Sequence, residues 1–472
     1  MIRLTLSSCR DITQNMATRS LQGQLGSLTL IALGVSGVVG SSWIYTNGKF
    51  FDEYGAGGMI FGLALGSMLA ACVALSYAQL TSRFPRAGGE VVFSYTILGR
   101  PLGFLTGWLL IGAYVSSLAF YFTSFGVLLE FYIPEMAHFP AYTLAGETVT
   151  WPILIAGLLL TLLFYVLNVR GASLGGQLQV ILFIALVGIG LTLAVVGFSA
   201  GSWDNFWPPF REDQNPALNT LRFVVPGMTY MAGFGLIATL AEDAKLPPRK
   251  IGRLVVATVL IAGAFYCVVL ASSAFIMPWE QVAGMEQGTI TAFTEAGFPF
   301  LGALAFSIAI LGLLTSFLGL FMATSRIIVA LARVNLLPRR FATIDPTHGT
   351  PKRALQLVVV ITVVLGLLGR GAMTAFLDTG GIYLGIVWIL VVACQVRMNK
   401  RVSVFPVIGA IGAALTIALA VWPGTSLSLV WPLEYVVLLG WAAVGFAFYL
   451  ASKPMDRDEA LTELLGEHKA GV

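Results

Sequence analysis

Apolar residues run in long blocks along the chain, broken at intervals by short polar or Gly/Pro-rich stretches. The blocks fall near 25–46, 54–80, 91–131, 150–168, 173–200, 218–241, 251–277, 298–332, 354–369, 372–397, 403–422 and 430–451. A helix needs ~20 predominantly apolar residues to cross the hydrocarbon of a bilayer, so these twelve blocks predict twelve membrane helices. The first block follows about two dozen more polar residues that include Arg3, Arg10 and Arg19. It is too long and too late for a cleavable signal peptide, and is expected to stay in the membrane.

Composition strengthens this reading: of 472 residues, 57% are apolar and only 11% charged. The net charge of +4 is small, and no basic run with interleaved aromatics is present to track a phosphate backbone, so nucleic acid is not expected as a partner. Lys and Arg collect in cytoplasmic loops of membrane proteins. With the N-terminus placed inside, all 27 except Lys49, Arg211, Arg222 and Arg370 fall on or near the cytoplasmic side. That alternation predicts an even number of spans in the plasma (inner) membrane with both termini in the cytoplasm. Segment 1–24 and a charged tail, 452–472, then flank the bilayer part. Cys9, Cys72, Cys267 and Cys394 are scattered, which predicts neither a disulfide nor a metal cluster.

Chemistry within the membrane would need nucleophiles, bases or ligands at depth. His138, His348 and His468 all lie in loops or the tail. The stretch Gly34-Val35-Ser36-Gly37 has the form GxSG found in rhomboid-type serine proteases, but no neighbouring histidine completes it, so an enzyme is not expected. The informative feature is backbone irregularity. The first block contains Gly34-Val35-Ser36-Gly37-Val38-Val39-Gly40-Ser41-Ser42, and the sixth contains Pro226-Gly227 followed by Gly233-Phe234-Gly235. Such breaks survive in hydrocarbon only where protein or a water-filled cavity satisfies the freed backbone groups. Two interrupted helices, each opening a set of five spans, are the pattern of an inverted-repeat transporter. The bland alternative is that these glycines merely permit close helix packing.

The residues themselves resemble a known family. Gly37-Val38-Val39-Gly40-Ser41-Ser42-Trp43 is similar to the first-helix signature of the amino acid, polyamine and organocation superfamily, and Phe84-Pro85-Arg86-Ala87-Gly88-Gly89 to its loop between helices two and three. Gly233-Phe234-Gly235 through Glu242-Asp243-Ala244-Lys245 resembles its sixth-helix motif, and Ser325-Arg326 with Arg333 to Pro338 the end of its helix eight. The resemblance implies an all-α polytopic membrane protein of leucine-transporter-type fold, with twelve membrane helices. Two inverted five-helix repeats, 25–200 and 218–397, have broken helices one and six, and two further helices occupy 403–451.

It also implies a site. Val39, Gly40, Ser41 and Ser42 fall where the break of helix one offers N–H groups to a substrate carboxylate; Ser42 replaces the family's second glycine. Thr229, Tyr230, Met231 and Gly233 line the corresponding break of helix six, and Tyr114 on helix three falls at a substrate-facing position by spacing. Gly235 stands where many relatives carry Asp or Glu, so a cationic substrate lacks a counter-charge there. Glu90, Glu242, Asp243 and Arg326 read as interfacial salt bridges or gates. The segment Ala172–Ala200 has no ionisable side chain to relay a proton, whereas Thr315 and Ser316 resemble the paired hydroxyls that sodium-coupled relatives aim at the ion. The carbonyls of Ser36 and Val39 would complete that shell, although Thr and Ser in helices commonly bond their own backbone instead. The expected function is a secondary transporter, a symporter of a small neutral amino acid or related zwitterion, with proton coupling or plain exchange open beside sodium and an organic amine or polyamine carrier or exchanger of the same fold as alternative. A channel or a sensor finds less support: neither charge rings nor a filter-like loop is visible.

Overall fold

The computed structural model describes residues 24–40, 43–144, 146–212, 215–285, 287–400, 402–422 and 428–466. Ser41, Ser42 and nearly all of segment 1–24 therefore lie outside the described residues. Helix occupies each of the twelve apolar blocks. In order these are α1 (Ser27–Val38), α2 (Trp43–Arg83), α3 (Gly89–Leu98), α4 (Arg100–Tyr132), α5 (Trp151–Val169), α6 (Ala172–Ala200), α7 (Pro216–Thr229) and α8 (Leu236–Thr239). They continue with α9 (Pro248–Ile276), α10 (Gly288–Glu295, between two blocks), α11 (Pro299–Arg333), α12 (Lys352–Gly366), α13 (Met373–Asn399), α14 (Val404–Val421), α15 (Leu433–Ala451) and, beyond the last block, α16 (Arg457–Leu465).

Among the described residues, nine helices are long and apolar enough to cross a membrane. The remaining three blocks are the two interrupted ones and the ninth, whose helix α12 has 15 residues. Interruption is thus what keeps blocks one and six out of the count. Block one stops at Val38 and resumes at Trp43; block six stops at Thr229, passes through a turn, and resumes for four residues at Leu236.

Three features depart from the pattern of blocks. The polar stretch 47–53 is helical rather than a loop: α2 runs on from the break and is kinked at Gly55 (φ 75°, ψ 159°). Its polar face sits at the surface, where Asp52 pairs with Arg211 at 2.6 Å. Next, the third block is divided, with α3 separated from α4 by Gly99. Finally, the connection after α4 is not irregular throughout. A small antiparallel hairpin, β1 (Pro140–Leu144) with β2 (Glu147–Thr150), pairs Thr143 with Thr148 and Leu144 with Glu147, an exception to the all-helical expectation.

Packing follows the bilayer's rule that small residues, not hydrophobic pressure, bring helices together. Gly58, Gly62 and Gly66, at intervals of four residues, lie on the α2 face against α7. A Cβ on Gly62 would come within 2.7 Å of the Thr220 carbonyl, and one on Gly66 within 2.5 Å of the Met228 nitrogen. The backbones therefore nearly touch. α11 is the central helix, buried almost continuously from Leu313 to Arg333. Apolar side chains such as Ile181, Val195, Phe405 and Leu439 are exposed and form the face that meets lipid.

Gly62→Leu is expected to destabilise the protein by about 1–3 kcal/mol, the usual penalty of overpacking, because α7 has no room to yield. Leu65→Ala, at an exposed position on the same helix, should leave the unfolding temperature in detergent unchanged. Thermal unfolding of the two purified variants checks this.

Candidate substrate and ion site at two broken helices

The two interruptions meet backbone to backbone. Gly233 has φ +111°, a conformation costly for any residue with a Cβ, and an added Cβ would lie 2.2 Å from the Gly37 carbonyl oxygen. Two irregular stretches 196 positions apart are thereby brought together. Breaking a helix in hydrocarbon frees carbonyls, and each needs a donor. The Val38 carbonyl accepts from the Tyr266 hydroxyl of α9 at 2.7 Å and from Gly40 N at 2.9 Å. The Gly40 carbonyl accepts from Trp43 Nε1 at 2.9 Å, and the Ser36 carbonyl from the Ser316 hydroxyl of α11 at 2.7 Å.

Several of the expected site residues converge here. Val39 is fully buried, and α11 passes against it at Gly312, where a Cβ would be 2.7 Å from the Gly40 carbonyl and 3.2 Å from that of Val39. Ser316 and the Ser36 carbonyl are joined directly, while Thr315 donates to the Leu311 and Gly312 carbonyls of its own helix at 2.8 and 3.0 Å. Of the expected sodium ligands, the structure thus connects Ser36 with Ser316, while the Thr315 hydroxyl is bonded to its own helix. The Gly40 N–H closes a tight turn onto Val38 in this conformation, so a carboxylate arriving there has to displace that bond. The adjacent start of α2 carries the positive end of a helix dipole.

On the sixth block, Tyr230 shares a hydrogen bond of 2.9 Å with Thr46 of α2 and stands edge-on to Tyr266 at 5.8 Å. With Trp43, Met59 and Phe223 it lines an apolar crevice too narrow to hold a water molecule. Met231 is fully buried, its sulfur toward Gly263 of α9. Thr229 donates to the Val225 carbonyl and turns its methyl toward Gly381 of α13. Tyr114 is buried beside Glu90 and Thr239, on the side of the break toward α8. The tyrosine of α4 at the break itself is Tyr121, whose hydroxyl would lie 2.8 Å from a Cβ on Gly40 and faces Ser316. Its spacing of seven residues from Tyr114, two helical turns on one face, was the available sequence signal.

At the end of the molecule where the basic loops gather, the chain is clamped by buried charge. Arg326 makes two bonds of 3.1 Å to Asp243, with side-chain exposures of 1% and 2%. Arg333 pairs with Glu242, which also accepts from Ala87 N at 3.0 Å. These residues form the salt bridges the sequence suggested. Residue 25, just before α1, bridges to Ala244, just after block six, through Lys245 N and the Leu25 carbonyl at 2.9 Å. Glu90 differs from its neighbours. Among the described residues no ion pair reaches it; Oε2 accepts from the Thr239 hydroxyl at 2.9 Å, and Oε1 points at Gly235.

A bundle of membrane helices with two apposed breaks and a charge clamp at one end has the form of a membrane carrier. The sequence profile of the family described as amino acid permease matches residues 25–452, and the chain belongs to that family. It is similar to the branched-chain amino acid permease BcaP of Lactococcus lactis, with 25% identity over 446 residues, 89% of this chain and 92% of that one. The methylthioribose transporter of Bacillus subtilis is 25% identical over 92% of this chain and 94% of its own. Cationic amino acid transporter 4 of Homo sapiens is 24% identical over 79% of this chain and 57% of its own. The chain is thus a multi-pass membrane transporter.

Asp243→Asn would leave the Arg326 charge buried without a counter-charge, and is expected to cost about 3–5 kcal/mol. Asp243→Leu combined with Arg326→Met should recover most of that loss in detergent unfolding, because an apolar pair needs no desolvation of charge.

Proposed function

We propose that the chain is a secondary transporter that carries a small neutral amino acid or related zwitterion across the plasma membrane by alternating access. The observation that carries this reading is the apposition of Gly37 with Gly233, which gathers N–H groups, carbonyls and hydroxyls from two broken helices in one place. A zwitterion suits such a place: its carboxylate matches the start of α2, and its ammonium the carbonyls that end α1. In this reading the two five-helix halves, 25–200 and 218–397, move against each other, and both termini lie in the cytoplasm, in keeping with the charge distribution. The name of the Lactococcus relative supports an amino acid as cargo. An amine carrier is the second reading, favoured by Glu90, whose carboxyl occupies the space that Gly235 leaves open.

Uptake of radiolabelled L-leucine, L-alanine, L-lysine and cadaverine into proteoliposomes tests the reading. Transport of the neutral amino acids, abolished by Gly40→Val with normal insertion, is the expected result. The added bulk at Gly40 meets the Tyr121 hydroxyl, so close backbone approach is lost. Transport of cadaverine alone would favour the amine carrier.

Sodium as coupling ion belongs to the same proposal. Its support is the contact of Ser316 with the Ser36 carbonyl, close to the carbonyls of Val39 and Gly40 that flank Gly312. An inward sodium gradient is expected to accelerate uptake relative to choline at fixed pH, and Ser316→Ala to weaken that acceleration about tenfold or more. Thr315→Ala should matter less, since its hydroxyl serves its own helix. Sodium-independent uptake by the parent would remove this site.

A further inference from the structure

Glu90 is fully buried, yet the groups around it are neutral. Thr239 of α8 donates to Oε2, and the phenols of Tyr77 on α2 and Tyr114 on α4 stand close to the same carboxyl. Arg86, Arg326 and Arg333 on neighbouring elements are engaged elsewhere. On α11, Arg326 is held by Asp243 and Arg333 by Glu242; Arg86 donates to the Leu465 carbonyl of α16. On α13, Cys394 contacts Ser94, with Arg397 beyond it. An ionised carboxylate buried without a cation is costly, whereas the protonated acid is not.

The seal around this carboxyl is made by two elements that belong to different halves of the chain. Oε1 has no hydrogen-bond partner among the described residues and fills the notch at Gly235, where a Cβ would be 2.6 Å away. The start of α3 is fastened to α8 by Gly88 N donating to the Thr239 carbonyl at 3.0 Å, and Gly89 lies so near the Ala238 carbonyl that a Cβ would come within 2.6 Å. Any movement of broken block six away from α3 opens this seam and admits water to Glu90.

We propose that Glu90 is a proton-binding site linked to the transport cycle. The carboxyl is a neutral acid while α3 and α8 are packed. When they part, its O–H bond breaks, the proton passes to water, and the hydrated carboxylate keeps the electron pair. The sign follows by linkage: the packed state binds the proton more tightly, so acid favours packing and alkali favours opening. The inference rests on the alternating-access reading above, but concerns an ion and a place distinct from the Ser36–Ser316 contact.

The test is chemical accessibility, which needs no substrate. In a background without the four native cysteines, Ala238→Cys is reacted with N-ethylmaleimide in proteoliposomes between pH 5.5 and 8. Each rate is divided by that of the same thiol in denatured protein at the same pH. The normalised rate is expected to rise with pH, up to about tenfold per unit, the limit for one linked proton. With Glu90→Gln it should be flat, and with Glu90→Asp the dependence should return. A pH-independent parent, or an unchanged profile in Glu90→Gln, overturns the proposal. If Glu90→Gln does not fold, Thr239→Val must move the midpoint of the profile, and an unmoved midpoint overturns it equally. Flat labelling with normal leucine uptake would refute the proton site alone; pH-dependent labelling with no uptake of any compound tested would refute the transport reading alone.

Discussion

The meeting of Gly37 and Gly233 is the constraint around which the rest of the molecule is arranged. In hydrocarbon a helix cannot stop without placing its free carbonyls and N–H groups somewhere. Here the first break is satisfied largely by other elements, Tyr266 from α9, Ser316 from α11 and Trp43 from α2, while the turn in block six closes on its own backbone. α11 can come this near only because Gly312 has no side chain to strike the carbonyls. Small residues, hydroxyls and one indole thus do inside the membrane what water does for a loop in solution. The result is a cluster of oxygens and dipoles at a depth where side-chain charge is scarce.

Among the described residues, the fully buried ion pairs lie at the far end of broken block six, where charge is used differently. Asp243 and Glu242 close block six, and each is matched by an arginine from α11 with near-complete burial. Such pairs contribute little net stability against an apolar isostere, yet losing one partner is expensive. They therefore enforce which surfaces pack together more than how tightly. Glu90, a few residues from both pairs in space but joined to neither, shows that burial alone did not dictate an ion pair at this end.

Much of the architecture was legible in the chain, and the reasons are physical. All twelve apolar blocks hold helix because a helix satisfies its backbone in lipid within a single segment. The two breaks announced themselves through Gly and Pro at positions where a continuous helix would be cheaper. Other features could not be read from local pattern. Residues 47–53 look like a loop by polarity but stay helical, since polar side chains at a helix end can face water. Tyr121 and Tyr114 carry the same periodicity, and only tertiary packing decides which of them meets Gly40. The role of Glu90 depends on an empty volume at Gly235, on the far side of the sequence, and neither residue reports the other on its own. Thr315, in turn, followed the local preference of a helical hydroxyl for its own backbone, whereas its neighbour Ser316, rotated about 100° around the same helix, reached across to Ser36.

The short helix α16 gives the end of the chain a mechanical part. Asp456 caps its start by accepting from Asp458 N at 3.0 Å, and Arg86 caps its end by donating to the Leu465 carbonyl at 2.9 Å. Arg339, just past α11, grips it from the side through Glu463. Arg86 belongs to the loop that leads into α3, and the next residue is the one held by Glu242. The tail is therefore wired to the same loop that seals the broken sixth block. A load applied to this helix is felt at that loop, so α16 acts as a handle on the seam.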